Sequence, residues 1–423
     1  MITTWLIFIC EGIVSIIFSP SIPDNSTSFS FLIILINAVA FFYGVSHTKY
    51  STLLSFGYVF RLALLAWDCN FRNIFVLPNS GVDTWTYHLS AVSGMQTGNF
   101  GRGGAYSQTI AVIYRMFGCQ TPIAQYANVL LAMSMIMVCI RIAELLELNE
   151  GIKDYVVKIL CFLPNLAIIN SILLRETVVM FMVALSVMYF VKWINDNKFS
   201  SIVLCVLCGL VGSIYHSGAI AIVLGAIILY ILYNPSQRKV TLSASRIIVS
   251  LVLIVGFIVV NNVYGDIFLG KFGAVSTAED IIGASESRNA GGSAYDVGFN
   301  IGNTYLNLFV NTPIRMLYFL GAPMPWDWRG INDIIAFAFD SVFFLYAILV
   351  AFKELKADDR GNRGKVVLFL FLALMSAAVF AWGVSNAGTA LRHREKFIAV
   401  YVLLVALCKQ KKQERIRGYS GAV

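Results

Sequence analysis

The clearest absence in this sequence is charge. Only 13% of the 423 residues are charged, and 58% are hydrophobic, whereas soluble domains average about 25% charged residues. This scarcity excludes an ordinary soluble domain and predicts an all-α, polytopic membrane protein. The net charge of +8 is no reason to expect nucleic acid as a partner, because lysines in cytoplasmic loops account for most of it.

Several other signals are also missing. The N-terminal segment has no basic stretch and no small-x-small cleavage site before Pro20, so we expect a retained first span rather than a cleaved signal peptide. The chain has no internal repeat and no low-complexity segment. Its four histidines show no His-x-His or His-x-x-x-His spacing, which argues against zinc, and we expect no cofactor.

Cysteine is present at eight positions, mostly in apolar runs where it packs as a small hydrophobic residue. Cys205 and Cys208 form a C-x-x-C, but inside a predicted span, which disfavours a redox role. Cys69 and Cys119 both fall on the predicted outer side and are open to pairing as a disulfide.

Apolar runs predict about twelve transmembrane helices in a single integral membrane domain, residues 1–423, since a helix needs roughly 17–25 residues to cross a bilayer. The runs are 3–19, 31–46, 51–67, 121–141, 155–172, 174–193, 200–214, 217–233, 245–262, 333–352, 365–384 and 395–408. Six basic clusters fall on one side, which the positive-inside rule makes cytoplasmic, together with both termini. Two outer loops are large, 68–120 and 263–332. Within the first, the amphipathic stretch 105–118 predicts a helix at the membrane interface.

Arginine is unexpectedly frequent on the outer side. With this topology, the outward segments hold eight arginines and two lysines, and the inward segments hold seven arginines and twelve lysines. The outer arginines are Arg72, Arg102, Arg175, Arg288, Arg315, Arg329, Arg392 and Arg394. A planar, permanently charged, bidentate group suits phosphate better than lysine does. The pattern therefore indicates an outward-facing site for a phosphate-bearing lipid.

The sharpest constellation is GTALRHREKF at 388–397. Arg392 and Arg394 flank His393 at the outer end of the last predicted span. Cations around an imidazole would grip a diphosphate and supply a proton carrier, so we place all three in the catalytic site. The alternative is an ordinary basic flank whose side chains extend toward the headgroups.

A second motif is GVDTWTYHL at 81–89 in the first outer loop. Asp83 and Tyr87 share a face if the segment is helical. Asp83 is predicted as a general base or a ligand for a divalent cation, with Tyr87 and His88 binding substrate. The alternative for Asp83 is a helix N-cap.

Further substrate-binding residues are predicted at other outer positions. Arg175 and Glu176 lie in SILLRETVVMF, at a tight hairpin between two spans, where charges at membrane depth tend to mark function. Arg288 and Arg315 lie in the second outer loop, where the alternative is contact with solvent or headgroups. His216 lies in a short outer hairpin and is more often structural in such a place.

Two carboxylates fall inside predicted spans. Glu11 and Asp340 are interpretable as proton-relay groups of a transporter or as polar contacts between helices.

Taken in order, DTWTY, LPNLAIINSILLRE, SRNAGGSAYD, PIRMLYFLGAPMPW and GTALRHREKF resemble segments of bacterial polysaccharide repeat-unit polymerases, the Wzy-type O-antigen and exopolysaccharide polymerases. The resemblance covers most of residues 80–400 and extends to the GT-C membrane glycosyltransferases in its helical layout and outer-loop aspartate. It implies a polymerase of the bacterial inner membrane. Such an enzyme joins oligosaccharide units carried on undecaprenyl diphosphate at the periplasmic face, and a chain-length regulator protein is a possible partner. The family's functional arginines map onto Arg288, Arg392 and Arg394, and less securely onto Arg175 and Arg315.

The implied chemistry is inverting, metal-independent glycosyl transfer, with His393 or Asp83 as the base and arginines stabilising the leaving diphosphate. Two other functions stay open. One is a GT-C enzyme that uses a polyprenyl-phosphate sugar, with Asp83 as base or metal ligand. The other is a transporter or flippase of lipid-linked glycans, although transporters often show internal repeats and midplane sites. A purely structural scaffold fits least well.

Overall fold

The structure is a computed structural model that describes residues 1–17, 27–263, 277–287, 292–299, 301–356 and 363–420, without the side chains of 257, 260 and 411–420. Within this part of the chain the structure is almost entirely helical, with one short antiparallel ribbon, β1 (Tyr233–Asn234) and β2 (Lys239–Val240). The helices, in chain order, are α1 (Ile2–Ile17), α2 (Thr27–Ser46), α3 (Ser51–Asn70), α4 (Val82–Thr97), α5 (Gly104–Phe117), α6 (Thr121–Leu145), α7 (Glu150–Phe162), α8 (Pro164–Ile169), α9 (Glu176–Asp196), α10 (Phe199–Tyr215), α11 (Ile220–Leu232), α12 (Ala244–Val263), α13 (Ala278–Glu286), α14 (Tyr305–Gly321), α15 (Ile331–Ala336), α16 (Val342–Lys356), α17 (Arg363–Gly383), α18 (Ala387–Arg394) and α19 (Ile398–Ser420).

Seven helical segments in the described part of the chain are long and apolar enough to cross a membrane. They are α2, α3, α6, α9, α12, α17 and the continuous stretch Ile331–Lys356, which joins α15 to α16. Three more apolar segments are shorter, Ile2–Ile17, Phe199–Tyr215 and Ser217–Leu232. The all-α prediction is confirmed, and the chain has the character of a multi-pass membrane protein. The count of twelve spans stays a prediction.

The described residues form two compact units. Unit 1 comprises Met1–Met137 and Val157–Phe181, and unit 2 comprises Val138–Val156 and Met182–Val423. Helices α6, α7 and α9 each contribute residues to both units. The sequence, read for apolar runs and charge, gives no signal for this division.

In unit 1 the predicted span 155–172 is not one helix. It is interrupted between α7 and α8, because Pro164 has no N–H to donate to the carbonyl of Leu160, four residues earlier. Arg61 of α3, which is fully buried, occupies this break. Its Nη2 donates to the carbonyl of Leu160 at 2.8 Å and its Nη1 to that of Cys161 at 2.9 Å. The arginine therefore donates to the carbonyl of Leu160, which the proline leaves without its helical partner, and to the neighbouring carbonyl of Cys161.

The approach of α3 to α7 depends on a glycine. A Cβ on Gly57 would lie 2.7 Å from Sγ of Cys161, which is closer than real side chains approach. Only a residue without a side chain lets α3 come near enough for Arg61 to reach the carbonyls of α7.

The segment 105–118, predicted as an interfacial helix, is helical as α5. One face of α5 is buried and includes Tyr106, Ile110, Tyr114 and Phe117. It packs against α1 and α4, where Phe117 stacks on Phe8 with ring centroids 4.9 Å apart. This face of α5 therefore contributes to the core of unit 1.

The hairpin before α9 is held by one amide. Nδ2 of the buried Asn128 in α6 lies 2.8 Å from the carbonyl of Ile172 and 3.0 Å from that of Leu174. It also lies 2.9 Å from the hydroxyl of Tyr106. Buried carbonyls need donors, so this side chain fixes the loop that carries Arg175.

Asn128→Leu keeps the side-chain volume and removes the donors. We expect it to lower the free energy of unfolding by about 2–4 kcal/mol, because two carbonyls lose their partner and each costs about 1–3 kcal/mol when unsatisfied. Denaturant unfolding in micelles would measure this. The control is Asn195→Leu, whose exposed amide donates to the carbonyl of Leu145 at 2.8 Å and is replaceable by water. Equal losses in the two variants would contradict the assignment.

In unit 2 the central element is α19. Residues 397–408 are all buried, with at most 1% exposure, and the helix packs against α16 and α17. A helix that is apolar on every side belongs inside a bundle. The short helix α18 lies just before α19 in the chain. Arg392, His393 and Arg394 therefore lie next to the buried core of unit 2.

Candidate functional site

The predicted site residues fall into two groups, one in each unit. Unit 1 holds Asp83, Tyr87, His88, Arg175 and Glu176, and unit 2 holds His216, Arg315, Arg392, His393 and Arg394. Arg288 lies outside the described residues. Each group is built by its own elements.

In unit 2 the start of α18 is fixed by Asn386. Its Oδ1 accepts the backbone N–H of Gly388 at 3.0 Å and of Thr389 at 3.3 Å, the usual arrangement of an N-cap. The same oxygen accepts the hydroxyl of Ser293 at 2.8 Å. Because this serine lies in the described stretch 292–299, the cap also connects that stretch to the arginine-bearing helix.

Backbone and serine contacts extend this tie. The N–H of Ala387 donates to the carbonyl of Ser293 at 2.8 Å, and the N–H of Tyr295 donates to the carbonyl of Ser385 at 3.0 Å. The hydroxyl of Ser385 lies 3.1 Å from that of Ser285 in α13. Helix α13 and the stretch 292–299 are thus hydrogen-bonded to the residues at the start of α18.

Arg394 has a role different from the predicted one. Its side chain is 0% exposed and forms an ion pair with Asp340, which is 1% exposed, with Nη2 2.8 Å from Oδ2. Nε also donates to Oδ2, Nη1 donates to the carbonyls of Leu320 and Ala322, and Nη2 donates to the hydroxyl of Ser341. All five N–H groups of the guanidinium have acceptors, so Arg394 has no donor left for a diphosphate. It is a buried structural residue.

The same contact decides between the two interpretations of Asp340. It is the buried partner of an arginine that joins α18 to the start of α16. Asp340 therefore makes a polar contact between helices. Its ion pair does not support a proton-relay role in a transporter.

His393 lies in a compact group of rings. Its ring centroid is 4.7 Å from that of His216 and 5.2 Å from that of Phe380, in both cases edge to face. Nζ of Lys396, which is 0% exposed, lies 2.7 Å from Nδ1 of His393. The sequence alone does not connect His216 with His393, and it marks Lys396 only as one of the two predicted outer lysines.

His216 also has the structural role that a short hairpin predicts. It ends α10, and its Nδ1 accepts the backbone N–H of Gly218 at 3.1 Å within the turn Ser217–Ala219. On its other side the ring stacks on Phe380, with centroids 5.5 Å apart. The turn therefore holds this imidazole against the group that contains His393.

Arg315 of α14 is the cation best placed to take a ligand. Its guanidinium carbon lies 4.2 Å from the ring centre of Trp382, and Nη1 donates to the hydroxyl of Ser285 at 2.7 Å. Its Nε is buried and has no hydrogen-bond partner among the described residues. Burial lowers the pKa of Arg315 from its ordinary value, although Asp296, Tyr295 and Glu286 counteract this. An anion would provide an acceptor for this Nε–H.

An apolar groove adjoins this arginine on α14. It has a volume of about 560 Å³ and is lined by Tyr305, Leu308, Phe309, Val310, Thr312 and Pro313. Thr312 lies three residues before Arg315, hence on the same face of the helix, and its hydroxyl accepts Nε1–H of Trp382 at 2.8 Å. A groove of this kind beside a cation matches a molecule with an apolar tail and an anionic head.

Arg392 is half-buried on α18, one position before His393. It differs from Arg394 in being partly accessible, and its catalytic role stays a prediction.

In unit 1, Tyr87 and Arg175 form one group with the buried Tyr106. Tyr87 packs edge to face on Tyr106, with ring centroids 5.0 Å apart, and the guanidinium carbon of Arg175 lies 5.9 Å from the ring centre of Tyr87. Nε of Arg175 is buried and has no hydrogen-bond partner among the described residues. Tyr87 and Glu176 are themselves buried, at 6% and 0% exposure. Tyr87 therefore lies next to the guanidinium of Arg175, and the substrate contact predicted for Tyr87 and Glu176 stays a prediction.

Asp83 and His88 occupy different environments. Asp83 is exposed in the first turn of α4, whose N-cap is Gly81, so the N-cap interpretation of Asp83 is wrong. Nδ1 of His88 lies 2.8 Å from the hydroxyl of Tyr114, and burial lowers the pKa of His88 from its ordinary value. Burial therefore favours the uncharged form of this imidazole.

Arg72, one of the predicted outer arginines, has a clear structural role. Its Nε lies 3.5 Å from Oδ1 of the buried Asp68, and its Nη2 donates to the hydroxyl of Ser80 at 2.8 Å. Nearby, Sγ of Cys69 donates to a side-chain oxygen of Gln125 at 2.9 Å. Cys69 and Cys119 are not joined by a disulfide in the structure.

In the described part of the chain, no group of three or more His, Cys, Asp or Glu side chains is placed to hold a metal ion. Comparison of the chain with protein-family models, with curated protein sequences and with solved structures finds no match in any of the three.

Proposed function

We propose that this protein is an inverting membrane glycosyltransferase that joins oligosaccharide units carried on undecaprenyl diphosphate into a surface polysaccharide. It would act at the periplasmic face of the bacterial inner membrane, with about twelve spans and both termini in the cytoplasm. The observation that carries the proposal is the combination on α14 of Arg315, whose buried Nε lacks an acceptor among the described residues, with the adjoining apolar groove. A lipid diphosphate has both the anion and the tail that this combination suits.

The proposed reaction is a displacement at the anomeric carbon of the donor chain. A hydroxyl oxygen of the acceptor unit forms the new bond, and the bond from carbon to the diphosphate oxygen breaks. The released lipid diphosphate keeps the electron pair, and the hydroxyl proton goes to a base, for which unit 2 offers His393. Fixed cations stabilise the charge that grows on the leaving group. Arg315 and Arg392 of unit 2 are the residues proposed for this task.

The experiment that tests the function is a gene deletion read by the glycans at the cell surface. Loss of a polymerase leaves single repeat units exported and attached at the surface, whereas loss of a flippase traps them on the cytoplasmic face. The deletion strain should regain long chains with the wild-type gene and with Arg329→Gln, which alters an exposed arginine. Arg392→Ala should give short chains, and Arg392→Lys should give an intermediate length. Units trapped inside, or long chains from a well-expressed Arg392→Ala protein, would contradict the proposal.

A further inference from the structure

In unit 2 an indole ring is exposed within the predicted outer loop 263–332. Trp326, in the short turn Pro325–Asp327, is 70% exposed. Its Nε1–H donates to the hydroxyl of Tyr318 in α14 at 2.9 Å, and the centroids of the two rings lie 6.3 Å apart. Because an indole has only this one donor, the hydrogen bond orients the ring while most of its surface stays accessible.

The turn that carries Trp326 is itself held by the core of unit 2. Just before it, the carbonyl of Ala322 accepts from Nη1 of the buried Arg394 at 2.8 Å. Within it, the N–H of Asp327 donates to the carbonyl of Met324 at 2.8 Å, and Met324 is 4% exposed. An accessible aromatic ring on a fixed backbone loses little conformational freedom when a ligand binds, which favours a role in recognition.

Tyr318 connects this indole with Arg315. It lies three residues after Arg315 on α14, so the two side chains share a face of the helix. The ring centroid of Tyr295 lies 5.4 Å from that of Tyr318, and Tyr295 is also close enough to Arg315 to interact with it electrostatically. Aromatic rings therefore lie between the cation proposed to bind the diphosphate and the exposed indole.

A carboxylate stands next to the indole in the chain. Asp327 is partly exposed, and its inner oxygen, Oδ2, has no hydrogen-bond donor among the described residues. An ionised carboxylate only accepts hydrogen bonds, so a ligand with hydroxyl groups would suit it. A sugar in its pyranose form has hydroxyls at its rim and a face of C–H groups that packs on an aromatic ring.

We propose that Trp326 and Asp327 bind the sugar units attached to the diphosphate, the indole packing on a pyranose face and the carboxylate accepting from its hydroxyls. Tyr318 is the positioning residue that holds the indole. The inference rests on the proposed function and deepens it, since it assigns the glycan half of the substrate to named residues. Arg315 then recognises the lipid diphosphate, and Trp326 recognises the sugar.

A tryptophan outside a span can instead anchor a protein at the membrane interface, but the surroundings of Trp326 favour the glycan. Its N–H is bonded to Tyr318 rather than left for a lipid headgroup. The charged residues Asp327, Arg329 and Asp333 follow it closely in the chain. Bringing such charges into the apolar part of a bilayer is costly.

Binding of the glycan without its lipid tests the site. The probe is the oligosaccharide released by mild acid from the lipid-linked units of the host strain, titrated calorimetrically into purified protein in nanodiscs. We expect Trp326→Ala to weaken binding about tenfold and Trp326→Phe to stay within about threefold of wild type, because phenylalanine keeps an apolar ring. The matched control is Trp85→Ala, which removes a 51% exposed indole from unit 1 and should leave binding unchanged.

Farnesyl diphosphate, a lipid diphosphate without sugar, separates the two halves of the substrate. Trp326→Ala should bind it as wild type does, whereas Arg315→Gln should bind it about tenfold more weakly. Asp327→Asn should resemble Trp326→Ala with both probes, because it loses only the charged acceptor for sugar hydroxyls. A folded Trp326→Ala protein that binds the oligosaccharide as tightly as wild type would overturn the proposal.

Brominated lipids test the membrane alternative. The emission of Trp326 is the difference between the spectra of wild type and Trp326→Phe in nanodiscs. We expect this emission to be unaffected by bromine in the acyl chains. Strong quenching would place the indole in the bilayer and rule out the sugar site.

Failure of the sugar site and failure of the proposed function give different results. A protein that binds the oligosaccharide through Trp326 but does not elongate lipid-linked units keeps the site and contradicts the polymerase. Normal elongation by Trp326→Ala, at an unchanged KM for the lipid-linked unit, keeps the polymerase and contradicts the site.

Discussion

Replacing Arg394 with methionine should lower the free energy of unfolding by about 3–5 kcal/mol, the usual cost of removing one partner of a buried ion pair. The substitution leaves the carboxylate of Asp340 buried at 1% exposure without its cation. It also removes the donors to the carbonyls of Leu320 and Ala322. Chemical unfolding of the purified protein in mixed micelles would measure the loss.

A second substitution tests the cause. Asp340→Leu added to Arg394→Met removes the stranded carboxylate, so the double variant should recover part of the lost stability, as apolar replacements of buried pairs often do. Recovery should be incomplete, because the two carbonyls still lack their donor. The control is Arg329→Met, whose partner Asp333 lies 3.4 Å away in a pair that is 43% and 22% exposed; such pairs contribute at most about 1 kcal/mol. An Arg394→Met protein as stable as wild type would refute the structural role.

Arg315→Gln should lower kcat/KM for chain elongation by about 10²–10³, the effect of losing one fixed group that stabilises charge in the transition state. Glutamine keeps a polar side chain but removes the cation and its stacking on Trp382. Arg315→Lys should fall between glutamine and wild type, because lysine restores the charge without the planar set of donors. Elongation of purified lipid-linked units, resolved by length, would measure all three proteins.

Arg329→Gln is the matched control for this experiment, since it makes the same substitution at an exposed arginine of unit 2. It should elongate units at the wild-type rate. A thermal unfolding scan of each variant checks that the helices persist. If the Arg315→Gln protein folds normally and elongates units at the wild-type rate, Arg315 takes no part in the reaction.

Much of the fold was predictable from the sequence, because apolar runs of the right length have few alternatives to helix. The exceptions have local causes. The run 155–172 satisfies a hydropathy criterion, yet Pro164 interrupts it, and the compensation by Arg61 comes from a residue about a hundred positions earlier. Hydropathy averages over a window and does not detect a missing N–H.

The site was less predictable, for a reason that Arg392 and Arg394 illustrate. They are two positions apart in one motif, and sequence alone gives them the same role. The structure separates them because Asp340, 54 residues earlier, lies where it pairs with one of them. The contact between His393 and Lys396 has the i, i+3 spacing of neighbours on a helix, but the sequence does not show that Lys396 is buried beside the imidazole.

The bonds between Ser285 and Ser385, and between Ser293 and Asn386, join residues that the ribosome makes about a hundred positions apart. Since chains fold from the N-terminal side as they are synthesised, α13 and α14 are produced long before Ser385 and Asn386. The hydrogen bonds that join the surroundings of Arg315 to the start of α18 therefore form only when translation is nearly finished.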